Sequence, residues 1–168
     1  WERAADTVGD EIALINGNKR SSWSSFDSKA AKIATILEEH GLRSDSKVGI
    51  YLHNSNEYLE SQYGVFKIEG VPINVNYRYK ENELIYLLDN ADAEAVFFQG
   101  CYADRIKAIK GQLPKVKVYI QVDDGTEPLM EGAIDFENSI SSSKEQKRFN
   151  RTEENIYMLY TGGTTGMP

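Results

Sequence analysis

The chain has 168 residues, 40% of them hydrophobic and 27% charged, which suits one folded domain with a sizeable core and excludes a disordered chain. Its net charge of −7 excludes nucleic acid or an anionic membrane surface as the main partner, because both would be repelled. One cysteine cannot close an internal disulfide, and the sequence shows neither a signal peptide nor an apolar run of membrane-spanning length, so a reducing cytoplasm is the expected location.

Apolar periodicity changes repeatedly along the chain. Ile12 to Ile15 and Arg20 to Trp23 flank Asn16-Gly17-Asn18-Lys19, and Asn-Gly between two short strands predicts a β-hairpin. From Phe26 through Ala30, Ile33, Ala34 and Leu37 the spacing turns helical, with Ser25 as the expected N-cap and Gly41 as the stop. Lys47 to Leu52 reads as a strand, Glu57 to Ile68 as a helix ended by Gly70, and Val71 to Val75 as the next strand, which makes a βαβ unit. A helix near Glu81 to Leu88 then precedes a strand from Ala95 to Phe98, and a helix near Tyr102 to Ile109 precedes a strand from Val116 to Val122. The predicted class is α/β, a mainly parallel sheet flanked by helices on both faces and opened by a β-hairpin. Residues 123–151 are less regular, with a short helix expected around Phe136 to Ile140 and a solvated basic linker after it. Asn155 to Tyr160 resumes as a strand.

Few side chains within that frame invite chemistry. His40 falls in the last turn of its helix, where a cation suits the helix dipole, and His53 in a loop between a strand and a helix. Asn76 and Arg78 belong to a loop that reads as structural, Tyr77, Tyr79 and Tyr86 as core or rim, and Cys101 as a packed cysteine. Neither metal-ligand spacing nor a Ser-His-Asp constellation appears, and no residue presents itself as a general base. No catalytic or metal-binding residue is therefore assigned.

The informative segment is Tyr160-Thr161-Gly162-Gly163-Thr164-Thr165-Gly166-Met167-Pro168, directly after the last predicted strand. Glycine allows positive φ and close backbone approach, so successive amides can point at a phosphate while threonine hydroxyls add donors. No Lys-Ser or Lys-Thr follows at Walker spacing, and the alternating glycines of a dinucleotide fingerprint are missing. In an open α/β sheet ligands bind beyond the carboxyl ends of the strands, where a segment following a strand is delivered.

This segment resembles the signature of the adenylate-forming superfamily of acyl-CoA synthetases, luciferases and peptide-synthetase adenylation domains, which reads Tyr-Thr-Ser-Gly-Thr-Thr-Gly-x-Pro-Lys-Gly. Gly162 stands where that family usually has serine, and the lysine that follows the proline lies outside the chain. Asp10 to Ile15 with Ser22 to Asp27, and Lys47 to Glu57, resemble further family segments in the family's order. Gly70 to Tyr79 with Glu83 to Leu88 is similar to fatty-acyl and related acyl-CoA synthetases.

The resemblance implies that residues 1–168 are the N-terminal portion of the AMP-binding large domain of a longer protein. That protein would activate a carboxylic acid, a fatty acid first among them, with ATP and Mg2+ through an acyl-adenylate and transfer it to coenzyme A. Thr161, Gly162, Gly163, Thr164 and Thr165 would line the triphosphate, with Gly166 setting the turn and Tyr160 packing beneath. The family's adenine contacts, metal-binding glutamate, acyl pocket and catalytic lysine lie downstream, so residues 1–168 alone are expected to be inactive. The alternatives are an adenylation domain loading a carrier-protein thiol and a non-catalytic phosphate-binding module. A homodimer is also expected, since a sheet short of strands exposes an edge.

Overall fold

The computed structural model describes residues 1–152 and 154–160. Helix α1 (Glu2–Val8) leads into an antiparallel hairpin of β1 (Ile12–Asn16) and β2 (Lys19–Ser22). Asn16 pairs with Lys19, which leaves Gly17 and Asn18 as the turn, with Gly17 at φ +56°. The chain then runs through α2 (Trp23–Glu39), β3 (Lys47–Tyr51), α3 (Asn56–Lys67), β4 (Val71–Asn74), α4 (Glu81–Asn90) and β5 (Ala93–Gln99). It continues through α5 (Ala103–Ile109), β6 (Val118–Val122), β7 (Ala133–Asp135), α6 (Phe136–Ser142) and β8 (Met158–Leu159). Strands β3 to β8 form one six-stranded sheet, all pairs parallel, in the order β7-β6-β5-β3-β4-β8. The α/β class and the hairpin agree with the sequence reading.

Local signals place the larger helices. The hydroxyl of Ser22 accepts the Ser25 amide at 3.2 Å, so α2 starts three residues before the Ser25 cap expected from sequence. Ser25 is the donor in that cap and Ser22 the acceptor, because the capping oxygen must precede the free amides of the first turn. At its other end α2 closes in a Schellman motif. Gly41 sits at φ +79°, its N–H bonds to the Glu38 carbonyl, and the Leu42 N–H bonds to the Leu37 carbonyl. Ser55 caps α3 by accepting the Tyr58 amide at 3.2 Å.

The helices cover both faces of the sheet. Along β5, Ala95 and Phe97 pack with Leu37, Val65 and Phe136 beneath α2, α3 and α6, whereas Val96 and Phe98 pack with Leu84, Leu88 and Ile106 beneath α4 and α5. That alternation is required of a parallel strand buried on both sides. Helices α2 and α3 approach closely: a Cβ on Gly64 would stand 2.3 Å from Ile33 Cγ2 and 2.7 Å from Ile33 Cβ. Ile33 is fully packed and β-branched, so it has no rotamer to retreat to. Gly64→Ala is expected to lower stability by about 1–3 kcal/mol, measured as a lower urea midpoint at unchanged slope. An unchanged midpoint would show that α2 and α3 separate without loss.

The sequence reading has no counterpart to α1 or β7. α1 buries no residue and so carries no apolar period; its Glu2 side chain accepts from Lys67 at 2.8 Å and from Arg151 at 2.7 Å. β7 has only three residues, and the strand expected over Asn155 to Tyr160 narrows to Met158–Leu159. The predicted basic linker is exposed over most of its length, as expected, but is pinned to the body at several points. The Gln146 N–H bonds to the Ala31 carbonyl at 3.1 Å, and Arg148 donates to both Asp6 oxygens at 2.8 Å and to Asp27 at 2.7 Å. Acidic groups on α1 and α2 draw the segment onto the body, and its own composition does not reveal them.

Candidate functional site

The sheet order creates a crevice. β3 passes through α3 to β4 on one side, while β5, its other neighbour, passes through α5 to β6. Because α3 and α5 pack on opposite faces, the chain diverges beyond the carboxyl ends of β3 and β5, the usual place for a ligand in such sheets. All strands are parallel, so the residues after β3, β4, β5 and β8 gather at one edge: His53, Asn76 to Arg78, Gln99 and Tyr160.

The candidate phosphate contacts Thr161, Gly162, Gly163, Thr164, Thr165 and Gly166 lie outside the described residues. The strand leading to them is described. β8 pairs with β4, Met158 opposite Ile73 and Leu159 opposite Asn74, and so points its carboxyl end at the same edge. Tyr160 packs against the core beneath α4 and donates its hydroxyl to Asn90 Oδ1 at 2.6 Å, which matches the packing role expected for it. The Tyr157 hydroxyl lies 3.0 Å from that of Tyr58, which donates to Asn74 Oδ1 at 2.8 Å. Burial first, and the Tyr157 hydroxyl second, push the Tyr58 phenol far above its ordinary range, so it stays a neutral donor.

At the carboxyl edge His53 is held between two strands. Its backbone N–H donates to Gln99 Oε1 at 3.1 Å, its ring Nε2 lies 2.7 Å from the Tyr102 hydroxyl, and Tyr77 stands edge-on to the ring at 5.0 Å between centroids. The loop after β4 exposes Asn76, Tyr77 and Arg78. Asn76 Oδ1 accepts the Arg78 amide at 3.0 Å in an Asx turn, and the Arg78 guanidinium lies 5.3 Å from the Tyr77 ring centroid. Arg105 braces this loop from below, donating to the Tyr79 carbonyl at 2.8 Å and pairing with Glu81 at 3.4 Å. Sequence reasoning missed the His53–Tyr102 tie and Arg105, because partners 49 and 26 residues apart leave no local signal.

The remaining candidates carry less chemistry. His40 Nδ1 lies 2.8 Å from the Ile36 carbonyl at the end of α2, consistent with capping. Cys101 is exposed, not packed as expected, because the chain turns outward into α5 there. Desolvation of the sulfur and the Asp124 carboxylate push its thiol up to about 11, so it is not a thiolate nucleophile at neutral pH. Among the described residues no cluster of three or more His, Cys, Asp or Glu is arranged to hold a metal ion. No helix among them is long and apolar enough to cross a membrane. The edge thus offers hydrogen-bond donors and an exposed cation.

A family model described as AMP-binding enzyme matches residues 1–168. The chain is 38% identical over 170 residues to a 3-oxocholest-4-en-26-oate–CoA ligase of Rhodococcus rhodochrous, covering 99% of this chain and 31% of that protein. It is 36% identical over 170 residues to a medium/long-chain-fatty-acid–CoA/3-oxocholest-4-en-26-oate–CoA ligase of Mycolicibacterium smegmatis, with the same coverage of 99% and 31%. Its fold superposes on the crystal structure of the anthranilate CoA ligase AuaEII in complex with anthranoyl-AMP with a TM-score of 0.91 at 22% identity, covering 99% of this chain and 32% of that one. The chain therefore spans about a third of the length of the curated relatives it matches.

Proposed function

The chain belongs to the AMP-binding enzyme family, and from that premise we propose that it is the N-terminal portion of an AMP-forming acid–thiol ligase that makes acyl-coenzyme A. The observation that supports the reading is the direction of β8, whose carboxyl end lies at the same edge of the parallel sheet as those of β3, β4 and β5, and after which the Gly-Thr segment follows in sequence. The acid's carboxylate attacks the α-phosphorus of ATP, releasing pyrophosphate, and the thiol of coenzyme A then attacks the acyl carbon and releases AMP. Charge grows on the departing pyrophosphate, so preorganised amides and hydroxyls at Thr161 to Thr165 would lower the barrier, while Gly166 shapes the turn. Donors that held ATP and the transition state equally would improve binding alone.

Coenzyme A as acceptor is supported by relatives named for ligation to CoA at 36–38% identity, and fatty or sterol-derived acids are the substrate class those names support. Mg2+ enters with ATP, and the described residues contribute no site for it. The reading carries with it a cytoplasmic location, suited to the single cysteine of residues 1–168, and a homodimer.

The test is pyrophosphate exchange into ATP by the whole protein across fatty, sterol-derived and aromatic acids, followed by addition of coenzyme A. Exchange dependent on one acid class, with coenzyme A consumed in the second step, is the expected result, and residues 1–168 alone are expected to give none. Exchange without coenzyme A consumption would favour a carrier-protein acceptor. ATP binding without exchange for any acid would favour a non-catalytic module.

A further inference from the structure

β8 meets β4 through two residue pairs, with Met158 and Tyr160 packed against the core beneath α4. The segment before it is anchored as well. The Thr152 N–H donates to Glu69 Oε1 at 2.7 Å and Arg151 Nε donates to the Lys67 carbonyl at 2.8 Å. Both acceptors lie where α3 turns into β4, so the grip falls on the strand with which β8 pairs. The other guanidinium nitrogens donate to Glu2 Oε1 at 2.7 Å and to Gln146 Oε1 at 2.8 Å, and Gln146 is itself fixed to Glu38 at 2.6 Å.

That anchor holds the chain a short way before the ladder. Met158 follows Thr152 by six positions, and its partner Ile73 follows Glu69 by four. A slip of one residue would turn Met158 out of the core beneath α4 and bring the exposed Leu159 inward. It would also shift Tyr160, after which residues 161–166 follow in sequence, by one position along the sheet. We propose that Arg151 is a positioning residue that fixes the register of β8, and through it the point at which the phosphate-binding segment begins. A planar guanidinium with three acceptors in place suits this role, and an ammonium satisfies that fork incompletely. The functional half rests on the nucleotide-binding reading; the structural half does not.

In the whole protein, Arg151→Gln is expected to speed amide hydrogen exchange at Tyr157 to Tyr160 by about tenfold to a hundredfold, the scale of one lost charge-assisted hydrogen bond. Amides of β3 and β5 are expected to keep their rates. The same variant is expected to raise KM for ATP in pyrophosphate exchange by about tenfold, with a smaller fall in kcat. Arg151→Lys, which keeps the charge and serves as the test should the glutamine variant fail to fold, is expected to fall between wild type and Arg151→Gln. The exposed Lys115→Gln is the control and should match wild type in both readouts. Wild-type amide rates at Tyr157 to Tyr160, or equal acceleration across β3, β5 and β8, would overturn the positioning role. Faster β8 amides with unchanged kinetics would overturn the link to the phosphate-binding segment. A wild-type protein without pyrophosphate exchange would remove the nucleotide reading, and the amide rates would then decide the register question alone.

Discussion

Replacing both Thr164 and Thr165 by valine in the whole protein is expected to slow acid-dependent pyrophosphate exchange by about 100- to 1000-fold, the range seen when one preorganised donor to a developing oxyanion is lost. Valine keeps the branch at Cβ and nearly the same volume, so the change removes hydroxyl donors and little else. The loss is expected mainly in kcat, because the hydroxyls serve the charge that develops as pyrophosphate departs. Both positions lie outside the described residues, and the expectation rests on the Gly-Thr sequence and on the direction of β8, the strand that precedes it. A variant with wild-type kcat and KM would show that the segment touches no phosphate.

Lys67→Met should be the most damaging substitution in the body of the fold, at about 3–5 kcal/mol, since it removes two charge-assisted hydrogen bonds from a buried ammonium to partly buried carboxylates. Lys67 is 2% exposed, and its Nζ lies 2.8 Å from both Glu2 Oε1 and Asp27 Oδ1 and 4.6 Å from the Tyr63 ring centroid. Methionine fills the space of the stem without the charge. Burial by itself would raise the Asp27 and Glu2 carboxyls, but the hydrogen bond from Lys67 and the charges of Lys67 and the neighbouring arginines together hold both below the usual range. With folded values below unfolded ones, this stabilisation is complete above the ordinary carboxylate range and is lost as pH falls through the lower, folded values. Urea midpoints measured from pH 7 down to pH 3 should therefore fall steeply in the wild type and less steeply in Lys67→Met. A variant with the wild-type midpoint at pH 7 would mean that the buried ammonium contributes nothing.

The sequence disclosed what is decided locally. Asn16-Gly17 announced the hairpin, Gly41 announced the end of α2, and the alternation of strand and helix patterns announced a parallel sheet covered on both faces. The Gly-Thr segment stood out because phosphate chemistry and loop geometry ask for the same residues in a short stretch, and its role as a phosphate site is a proposal. What stayed hidden depends on distant partners. α1 has no apolar face, and its anchors stand 65 and 149 residues away; the basic segment before β8 gains its order from acids on α1 and α2. Ser22 was passed over for Ser25 because both are serines beside a helical pattern, and only the direction of the hydrogen bond separates them. The edge that gathers His53, Arg78 and Tyr160 follows from strand order, and periodicity does not fix strand order.

The knot of charge around Glu2 also sets an order of events at the ribosome. Chain grows at roughly 5–20 residues per second, so Lys67 follows Glu2 after roughly 3–13 s and Arg151 after roughly 7–30 s. During the first wait α1 has no apolar face to hide and no cation to meet, and it remains open chain. Lys67 then closes it onto α3, and only the arrival of Arg151 ties the start of β8 to the same point. Within residues 1–160 the start of β8 is thus tied down after the hairpin and the α2–α3 layer have already emerged.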